Sequence, residues 1–254
     1  MEGTSSPLVL KLGHGADLTA ADHEVLEGFC HGGQRIGVRQ DLIQEGADPR
    51  FVHIVLEGIA CRYKMLPDGS RQIMALLLPG DFCDLHVAIL GTMDHSIGTL
   101  SPCCIARLGR STVEDLAFSH PRIMRAMWWA TLVDEAILRE WIVGMGRRPA
   151  DRRLAHLFCE LLVRLQTVGL ALEAHYDLPL AQYDLADILG LTPVHVNRML
   201  QQLRTDSLIT LTGKRLTIPD VPRLKDFADF DPNYLHLQLR APRHQGEGEV
   251  RLAK

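Results

Sequence analysis

The sequence predicts an α+β protein that consists of a jelly-roll β-barrel, one long helix, and a C-terminal domain of short helices with a β-hairpin. Short apolar runs punctuated by glycine continue to about residue 118, which is typical of a jelly roll. Residues 122–143 contain neither glycine nor proline, and two helical patterns followed by two strand patterns occupy residues 182–218. The chain is therefore divided into domains 1–120, 121–146 and 147–225, with a tail at 226–254.

Length and composition limit the classes of protein that fit this chain. The 254 residues suffice for two domains, and 46% hydrophobic with 23% charged residues is typical of a globular protein. A net charge of −4 argues against non-specific coating of nucleic acid but permits one locally basic surface. No apolar run approaches the roughly 20 residues of a membrane span, and the N-terminus lacks signal-peptide features. Six scattered cysteines, with no Cys-x-x-Cys pair, indicate a reduced, cytoplasmic protein without membrane contact.

The N-terminal domain is predicted to open with a helix and to continue as strands and turns. Residues 18–29 place apolar side chains on one face of a helix, and Thr19 is suited to cap it. The turn Pro-Asp-Gly-Ser at residues 67–70 lies between two apolar runs, which predicts a hairpin. The glycines that punctuate the strands are Gly46, Gly58, Gly80, Gly91 and Gly98.

The long helix carries a heptad-like apolar pattern. The residues at seven-residue spacing are Met124, Thr131, Leu138 and Met145, with Met127 or Trp128 and Trp141 or Ile142 between them. This pattern fits either a helix packed on its own domain or the seam of a two-fold dimer, and exposed tryptophans favour the dimer. A kink or break is expected at Gly144, Gly146 and Pro149.

The C-terminal domain contains two short helices joined by a tight turn. A preceding amphipathic helix is expected to end at Gly169. Residues 182–189 form the first short helix, Gly190 supplies a left-handed turn residue, and Thr192 caps the second helix with Pro193 at its first position. This second helix runs to about residue 204, and its buried residues are expected to be Val196, Met199, Leu200 and Leu203.

The opposite face of the second helix is polar and suits a reader of the DNA major groove. Its residues are Val194, His195, Asn197, Arg198, Gln201 and Gln202. Two strands at 208–211 and 215–218 follow as a wing, and Lys214 with Arg215 at its tip can neutralise phosphates. From residue 192 to 217 four cations oppose one acid, a local charge of +3. The alternative, two packed helices of an enzyme, is disfavoured because no nucleophile–base pair or phosphate-binding glycine loop accompanies them.

The order of these parts resembles the Crp/Fnr family of bacterial transcription regulators over roughly residues 18–218. IQEGADPRFVHIVLEGIACRYKMLPDGSRQI and LLPGDF are similar to the family's cyclic-nucleotide-binding-type β-roll, and LADILGLTPVHVNRMLQQLRTDSLITLTGKRLTI to its winged helix-turn-helix. The resemblance implies a homodimer on an inverted-repeat operator in double-stranded DNA, with RNA polymerase as a further candidate partner. It places Thr192 and His195 near phosphates and Val194, Asn197 and Arg198 near bases.

One departure affects the expected operator. Many members carry a polar or acidic residue, often glutamate, where this chain has Pro193 and Val194. Valine cannot accept a hydrogen bond from cytosine N4, but it can contact a thymine methyl group. We therefore expect a half-site that differs from the family's commonest one.

The resemblance also places an effector pocket in the β-roll. The candidate residues are Gly80, Asp81, Phe82, Asp84, His95, Ser96, Leu138 and Arg139. Relatives that bind cyclic AMP carry Gly-Glu, Arg-Ser and Thr-Ser motifs here, and this chain matches none of the three. Since a buried cyclic phosphate needs a fixed cation, cyclic AMP is not expected, and the effector stays open. The alternative function is a cyclic-nucleotide- or metal-binding module without a DNA role.

The spacing of cysteines and histidines disfavours metal and redox sites. Cys83, His86 and His95 could ligate zinc or haem iron, but a buried thiol beside surface histidines is the favoured interpretation. An iron–sulfur cluster needs several cysteines near the N-terminus, where Cys30 stands alone, and a cupin metalloenzyme needs a different histidine spacing. The adjacent Cys103 and Cys104 are a reactive pair or inert strand thiols. We expect no metal, no cofactor and no enzymatic activity.

Overall fold

The computed structural model of the chain describes residues 5–85 and 87–237, without the side chains of residues 87 and 88. Its first seven strands form two sheets that face each other, with strand orders β1-β7-β3 and β2-β6-β4-β5. The strands are β1 (Gln34–Ile36), β2 (Asp41–Ile43), β3 (Phe51–Glu57), β4 (Ala60–Met65), β5 (Arg71–Leu77), β6 (Ser96–Thr99) and β7 (Cys103–Gly109). The predicted jelly roll is confirmed, and the predicted turn at 67–70 joins β4 to β5.

Helices flank this roll. They are α1 (Pro7–Leu12), α2 (Ala20–Cys30), α3 (Val87–Leu90) and α4 (Arg110–Ser119). The predicted cap of α2 is confirmed, because the Thr19 hydroxyl accepts the Asp22 N–H at 3.2 Å and Asp22 accepts the Thr19 N–H at 2.9 Å. Helices α1 and α4 lie in a region predicted as strands and turns. Both form because their apolar side chains pack with those of β3 and β7 in one cluster of the N-terminal domain, residues 1–120, which we call the sensor domain.

Helix α5 (Pro121–Arg147) resolves the two choices that the heptad pattern left open. Met127 is buried and Trp141 is half-buried against the chain's own core, whereas Trp128 is 70% exposed and Ile142 is 65% exposed. Of the three tryptophans, only Trp128 is thus exposed. The exposed residues that repeat at alternating spacings of three and four are Trp128, Thr131, Glu135, Leu138, Ile142 and Met145, which we call the α5 stripe.

The predicted break after α5 lies later than the glycines. The helix continues through Gly144 and Gly146 and ends at Arg147, and the next residue, Arg148, is extended with φ −86° and ψ 139°. Pro149 explains this, because a proline disfavours helical geometry in the residue before it. The hinge between α5 and the next helix is therefore two residues long.

The C-terminal domain surrounds helix α6. Its elements are α6 (Ala150–Thr167), β8 (His175–Asp177), α7 (Gln182–Leu189), α8 (Pro193–Thr205), β9 (Thr210–Thr212), β10 (Arg215–Thr217), α9 (Val221–Ala228) and a 3-10 helix (Pro232–Leu235). The three strands form a sheet in the order β8-β10-β9. The wing is therefore three-stranded, whereas the sequence predicted only its last two strands.

The prediction that a tail begins at residue 226 is wrong. Residues 229–237, which we call the C-terminal segment, pack on α5 and α6, and Phe230, Tyr234 and Leu235 are buried there. Their aromatic and aliphatic side chains give this segment enough apolar area to order it. The rest of the predicted tail, residues 238–254, lies outside the described residues.

One apolar core joins the sensor domain to the DNA-binding domain. It combines residues of β4 and β5 with one side of α5, most of the apolar residues of α6, both short helices and the C-terminal segment. The two domains are therefore packed together rather than tethered by a linker. None of the described helices is long and apolar enough to cross a membrane.

Candidate DNA interface

The two short helices meet in the geometry that the sequence predicted. Gly190 has φ 63° and ψ 42°, the left-handed conformation that ends α7. Two residues later the Thr192 hydroxyl accepts the His195 N–H at 3.2 Å and caps α8. At the start of α7 the Asp184 carboxylate accepts the Ala181 N–H at 3.0 Å. Both helix starts are thus fixed by local hydrogen bonds.

Helix α8 buries one face and exposes the other, as predicted. The buried residues are Val196, Met199, Leu200 and Leu203. Val194, Asn197, Arg198 and Gln201 are exposed at helical spacings of three and four, and Val194 is 81% exposed. Among the described residues no carboxylate pairs with Arg198. This reading face, as we call these four residues, is unobstructed and one turn from the helix N-terminus.

The residues around the reading face differ in their exposure and in whether a carboxylate pairs with them. Thr192 and Pro193 are exposed and His195 is half-buried. Lys214 is exposed in the wing turn, without a carboxylate partner within the described part of the chain. Arg215, predicted alongside it as a free cation, has its Nε 3.4 Å from Asp177 Oδ1 on the neighbouring strand β8. This exposed pair offsets part of the Arg215 charge.

Gln202 also belongs to the predicted polar face, but its side chain is already engaged. Its Nε2 donates to Asp206 Oδ2 at 2.9 Å, one turn further along α8. The side-chain amide that stays free in this half of the helix is therefore that of Gln201, which is exposed.

The sensor domain holds the outer side of α7. Arg71 of β5 donates from Nη2 to Asp184 at 2.8 Å and from Nε to Asp187 at 2.7 Å. Gln72 Nε2 donates to the Asp187 carbonyl at 2.9 Å, which satisfies an acceptor in the last turn of α7. The Arg39 guanidinium stacks on the Tyr183 ring, 4.6 Å from its centroid. Sequence reasoning missed this contact, because its partners lie more than 100 residues apart in the chain.

A buried network of charges lies behind the interface. Glu160 of α6 is fully buried and accepts hydrogen bonds from Trp141 Nε1 at 2.9 Å, Tyr234 Oη at 3.0 Å and Arg164 Nη1 at 3.1 Å. Arg164 also donates to Asp81 of the Gly-Asp-Phe loop at 2.8 Å. The network therefore connects α5, α6 of the DNA-binding domain, the C-terminal segment and the Gly-Asp-Phe loop.

Asp81 is consequently a structural residue in this conformation. It accepts from both Lys11 and Arg164. Burial alone would raise the pKa of the Asp81 carboxyl, but these two cations hold it below its ordinary value. Asp81, which was predicted to line an effector pocket, does not line the cavity between the roll and α5, because its carboxylate is turned towards Lys11 and towards Arg164 of α6.

A cavity of about 370 Å³ does lie between the roll and α5. Of the eight residues predicted for an effector pocket, three line it: Phe82, His95 and Leu138. Five do not line it: Gly80, Asp81, Asp84, Ser96 and Arg139.

The polar side chains among those five have partners elsewhere. Asp84 is fully buried, and it accepts the His53 backbone N–H at 2.8 Å and contacts the His53 ring nitrogen at 2.9 Å. The Ser96 hydroxyl accepts the Glu45 N–H at 3.0 Å. Arg139 is exposed and pairs with Glu135 at 3.2 Å. These corrections share one cause: strand and helix neighbours that the sequence could not place already use these groups.

The cavity offers little attraction to an anion. Arg62 lies on its wall, but the guanidinium donates to Asp134 at 3.0 Å and to the carbonyls of Phe82 and Cys83 at 3.1 and 2.9 Å. Lys11, the second cation of the wall, pairs with Asp81. Since both cations are neutralised by the protein, a buried phosphate would lack a free counter-charge here.

Within the described residues, no group of three histidine, cysteine or acidic side chains is arranged to hold a metal. Cys83 is fully buried and burial raises the pKa of its thiol well above the ordinary value, which makes the thiolate ligand unfavourable. His86 lies outside the described residues. Cys103 is buried and burial also raises its thiol pKa, so it lacks the character of an activated thiol. Cys104 is half-buried.

Comparison with known proteins gives the same two parts in the same order. A cyclic nucleotide-binding domain matches residues 36–120, and a Crp-like helix-turn-helix domain matches residues 152–227. These bounds agree with the roll and with the domain that carries α7 and α8. The C-terminal segment lies beyond the second match.

Individual relatives are similar over most of their length. The transcriptional activator protein FnrL of Cereibacter sphaeroides is 32% identical over 198 residues, covering 76% of this chain and 78% of FnrL. The nitrogen fixation regulation protein FixK of Bradyrhizobium diazoefficiens is 27% identical over 215 residues, covering 83% and 88%. The structure of FixK2 from Bradyrhizobium japonicum superposes with a TM-score of 0.69 at 26% identity, covering 77% of this chain and 96% of FixK2.

Proposed function

Because this chain belongs to the Crp/Fnr family of transcription regulators, we propose that it regulates transcription by binding an inverted-repeat operator as a homodimer. The observation that carries this proposal is the reading face. Its exposed guanidinium, amides and methyl groups lie near the helix N-terminus, and these are the groups that recognise base edges in the major groove. The flanking Lys214 supplies a phosphate contact.

The test starts from an operator selected from random DNA by the wild-type protein. We expect an enriched inverted repeat whose half-sites lie about one helical turn apart. At the base pair contacted by Val194 we expect thymine rather than the cytosine that an acidic residue would read. Binding without any sequence preference would contradict the proposal.

Dimerisation is assigned to the α5 stripe. Four of the six stripe residues are apolar, and exposed apolar residues at alternating spacings of three and four are the pattern that two helices bury against each other. Ile142→Glu places a charge in this seam and should give a monomer that binds the operator at least a hundredfold more weakly. Val143→Glu adds the same charge at an exposed position beside the seam, and it should leave the dimer intact. Sedimentation velocity separates the two outcomes, and a dimeric I142E protein would contradict the assignment.

The cavity is proposed not to be a cyclic-nucleotide site. Its two cations are bound to Asp134 and Asp81, and none of the three motifs that contact a cyclic nucleotide in relatives is present. Calorimetry with cyclic AMP and cyclic GMP should show no saturable heat, and neither nucleotide should raise the melting temperature. Saturable micromolar binding of either would overturn this part of the proposal.

The relatives named as transcriptional activators suggest a further partner. We extend the proposal to activation through contact with RNA polymerase in the bacterial cytoplasm, where the DNA lies. The proposal assigns no catalytic step to the chain. Transcription in vitro with purified polymerase should rise when the protein is added to a promoter that carries the selected operator, and a fall would indicate a repressor instead.

A further inference from the structure

Helix α7 has the wrong charge for its expected position on DNA. In a helix-turn-helix the first helix crosses the phosphate backbone. Residues 182–189 contain two acids, Asp184 and Asp187, and no lysine or arginine. Two carboxylates beside a phosphate backbone are unfavourable, so α7 alone would oppose binding.

Arg71 of the sensor domain offsets one of the two negative charges of α7. Its guanidinium bridges both carboxylates of α7 at 2.7 and 2.8 Å. One cation against two acids leaves a single negative charge on this surface. The positive charge comes from β5, in a different domain from the helix it neutralises.

Arg39 supplies a second cation from the sensor domain. The residue lies in the turn between β1 and β2 with φ 59°, and its N–H donates to the Thr99 carbonyl at 2.9 Å. The next residue, Gln40, is held by the Thr99 hydroxyl at 3.0 Å. This turn is therefore fixed to β6, and it places the exposed guanidinium over the Tyr183 ring of α7.

The two arginines differ in what remains available to a partner. Both carboxylates of α7 are bound to Arg71, whereas no carboxylate of the described residues pairs with Arg39. Stacking on an aromatic ring uses the face of a guanidinium and leaves the N–H groups at its edge free to donate. Fixed in place, charged and unpaired, Arg39 has the properties of a phosphate ligand.

We propose that Arg39 binds the DNA backbone beside α7, so that the sensor domain forms part of the operator interface. This inference rests on the proposed DNA-binding function. With Arg39 and Arg71 together, the sensor domain balances both acids of α7. The contact is to phosphate and therefore carries no sequence information, and it occurs once per half-site.

The test compares three variants on two DNAs, the selected operator and a shuffled duplex of equal length. Arg39→Gln removes the charge, and Arg39→Lys keeps it. Arg107→Gln is the matched control, because Arg107 is exposed on β7, a strand that packs with α2 and α4 rather than with α7. Fluorescence anisotropy gives Kd for each protein between 50 and 200 mM salt, two concentrations over which phosphate contacts are resolved.

For R39Q we expect weaker binding to both DNAs by a similar factor. The slope of log K against log salt should fall by about 0.9 for each lost phosphate contact, hence about 1.8 for a dimer. R39K should retain the wild-type slope, and R107Q should match the wild type.

An R39Q slope equal to that of the wild type would overturn the proposal. If the melting temperature of R39Q were also lower, this result would show that Arg39 only braces α7. Failure of the proposed function is a separate result, since it appears as a wild-type protein that does not distinguish the operator from the shuffled duplex.

Discussion

The reading face and the sensor cavity each contain an arginine, and the two arginines are used in opposite ways. Arg198 on α8 is exposed and has no carboxylate partner among the described residues. Arg62 on the cavity wall is bound to Asp134 and to two backbone carbonyls. A guanidinium whose donors are satisfied internally holds the fold, whereas one whose donors are free can bind an outside anion. Charge alone therefore does not identify a binding site, and the partners of each cation must be known.

The largest effect is expected at Arg62. Replacing it with methionine leaves Asp134 and the carbonyls of Phe82 and Cys83 without their donor, which should lower the free energy of unfolding by about 3 kcal/mol. Urea denaturation measures this loss. Arg35→Met is the control, because Arg35 forms an exposed pair with Glu57 at 3.4 Å and should cost less than about 1 kcal/mol. An R62M protein as stable as the wild type would show that the two arginines are not used differently.

The next effect concerns DNA affinity. Arg198→Ala should weaken operator binding by about 1–3 kcal/mol and relax the preference at one base pair of each half-site. Arg223→Ala, which removes an exposed arginine from α9, should leave affinity and preference unchanged. Anisotropy titrations against operators substituted at each position provide the measurement. If R198A kept the full preference at every position, the reading face would be assigned wrongly.

A third prediction concerns a buried histidine behind the interface. Burial, reinforced by Arg148, lowers the pKa of His156 to about 4, while Glu140 opposes the shift. Between this value and the ordinary histidine pKa near 6.5, only the unfolded state gains a proton, so stability rises with pH. Going from pH 7 to pH 5 should therefore cost about 2 kcal/mol through this residue.

Denaturation of His156→Gln at pH 7 and pH 5 measures the contribution of His156 to the pH dependence of stability. On acidification the variant should lose about 2 kcal/mol less of its free energy of unfolding than the wild type does. His23→Gln, at an exposed position of α2, should follow the wild type. Equal losses in H156Q and the wild type would show that His156 is not held neutral.

The smallest effect compares an unpaired and a paired cation within one turn of the wing. Lys214 is unpaired in the described structure, whereas Arg215 lies 3.4 Å from Asp177. Lys214→Gln should therefore reduce the salt dependence of DNA binding more than Arg215→Gln does, with a loss of less than about 1 kcal/mol at physiological salt. A larger change for R215Q would show that its pairing with Asp177 does not restrain it.

The elements that sequence predicted well depend on neighbouring residues in the chain. The cap at Thr192, the left-handed Gly190 and the buried positions of α8 are set within one or two helical turns. Because these features depend only on residues close in sequence, the four residues of the reading face could be predicted individually. The role of that face in DNA binding stays a prediction until it is measured.

The elements that sequence missed depend on distant partners. Arg71 and Asp184 are 113 residues apart, and nothing near either residue indicates the other. The choice between Met127 and Trp128 likewise followed from which side of α5 packs on the chain's own core. Asp84 was assigned to the pocket by its place after the Gly-Asp-Phe motif, but its orientation depends on His53, 31 residues away.

The C-terminal segment determines the order in which the molecule can be assembled. The partners that the described residues give to the Tyr234 side chain, Glu160, His156 and Phe230, all precede it in the chain, so the ribosome has made α5 and α6 before it adds the residue that completes the hydrogen bonds of Glu160. During synthesis the sensor roll can fold first, but its rigid attachment to the DNA-binding half must wait. A nascent chain that ends before Tyr234 therefore lacks the hydrogen bond that ties the C-terminal segment to Glu160, and we expect its DNA-binding half to be held less firmly against the roll than in the longer chain.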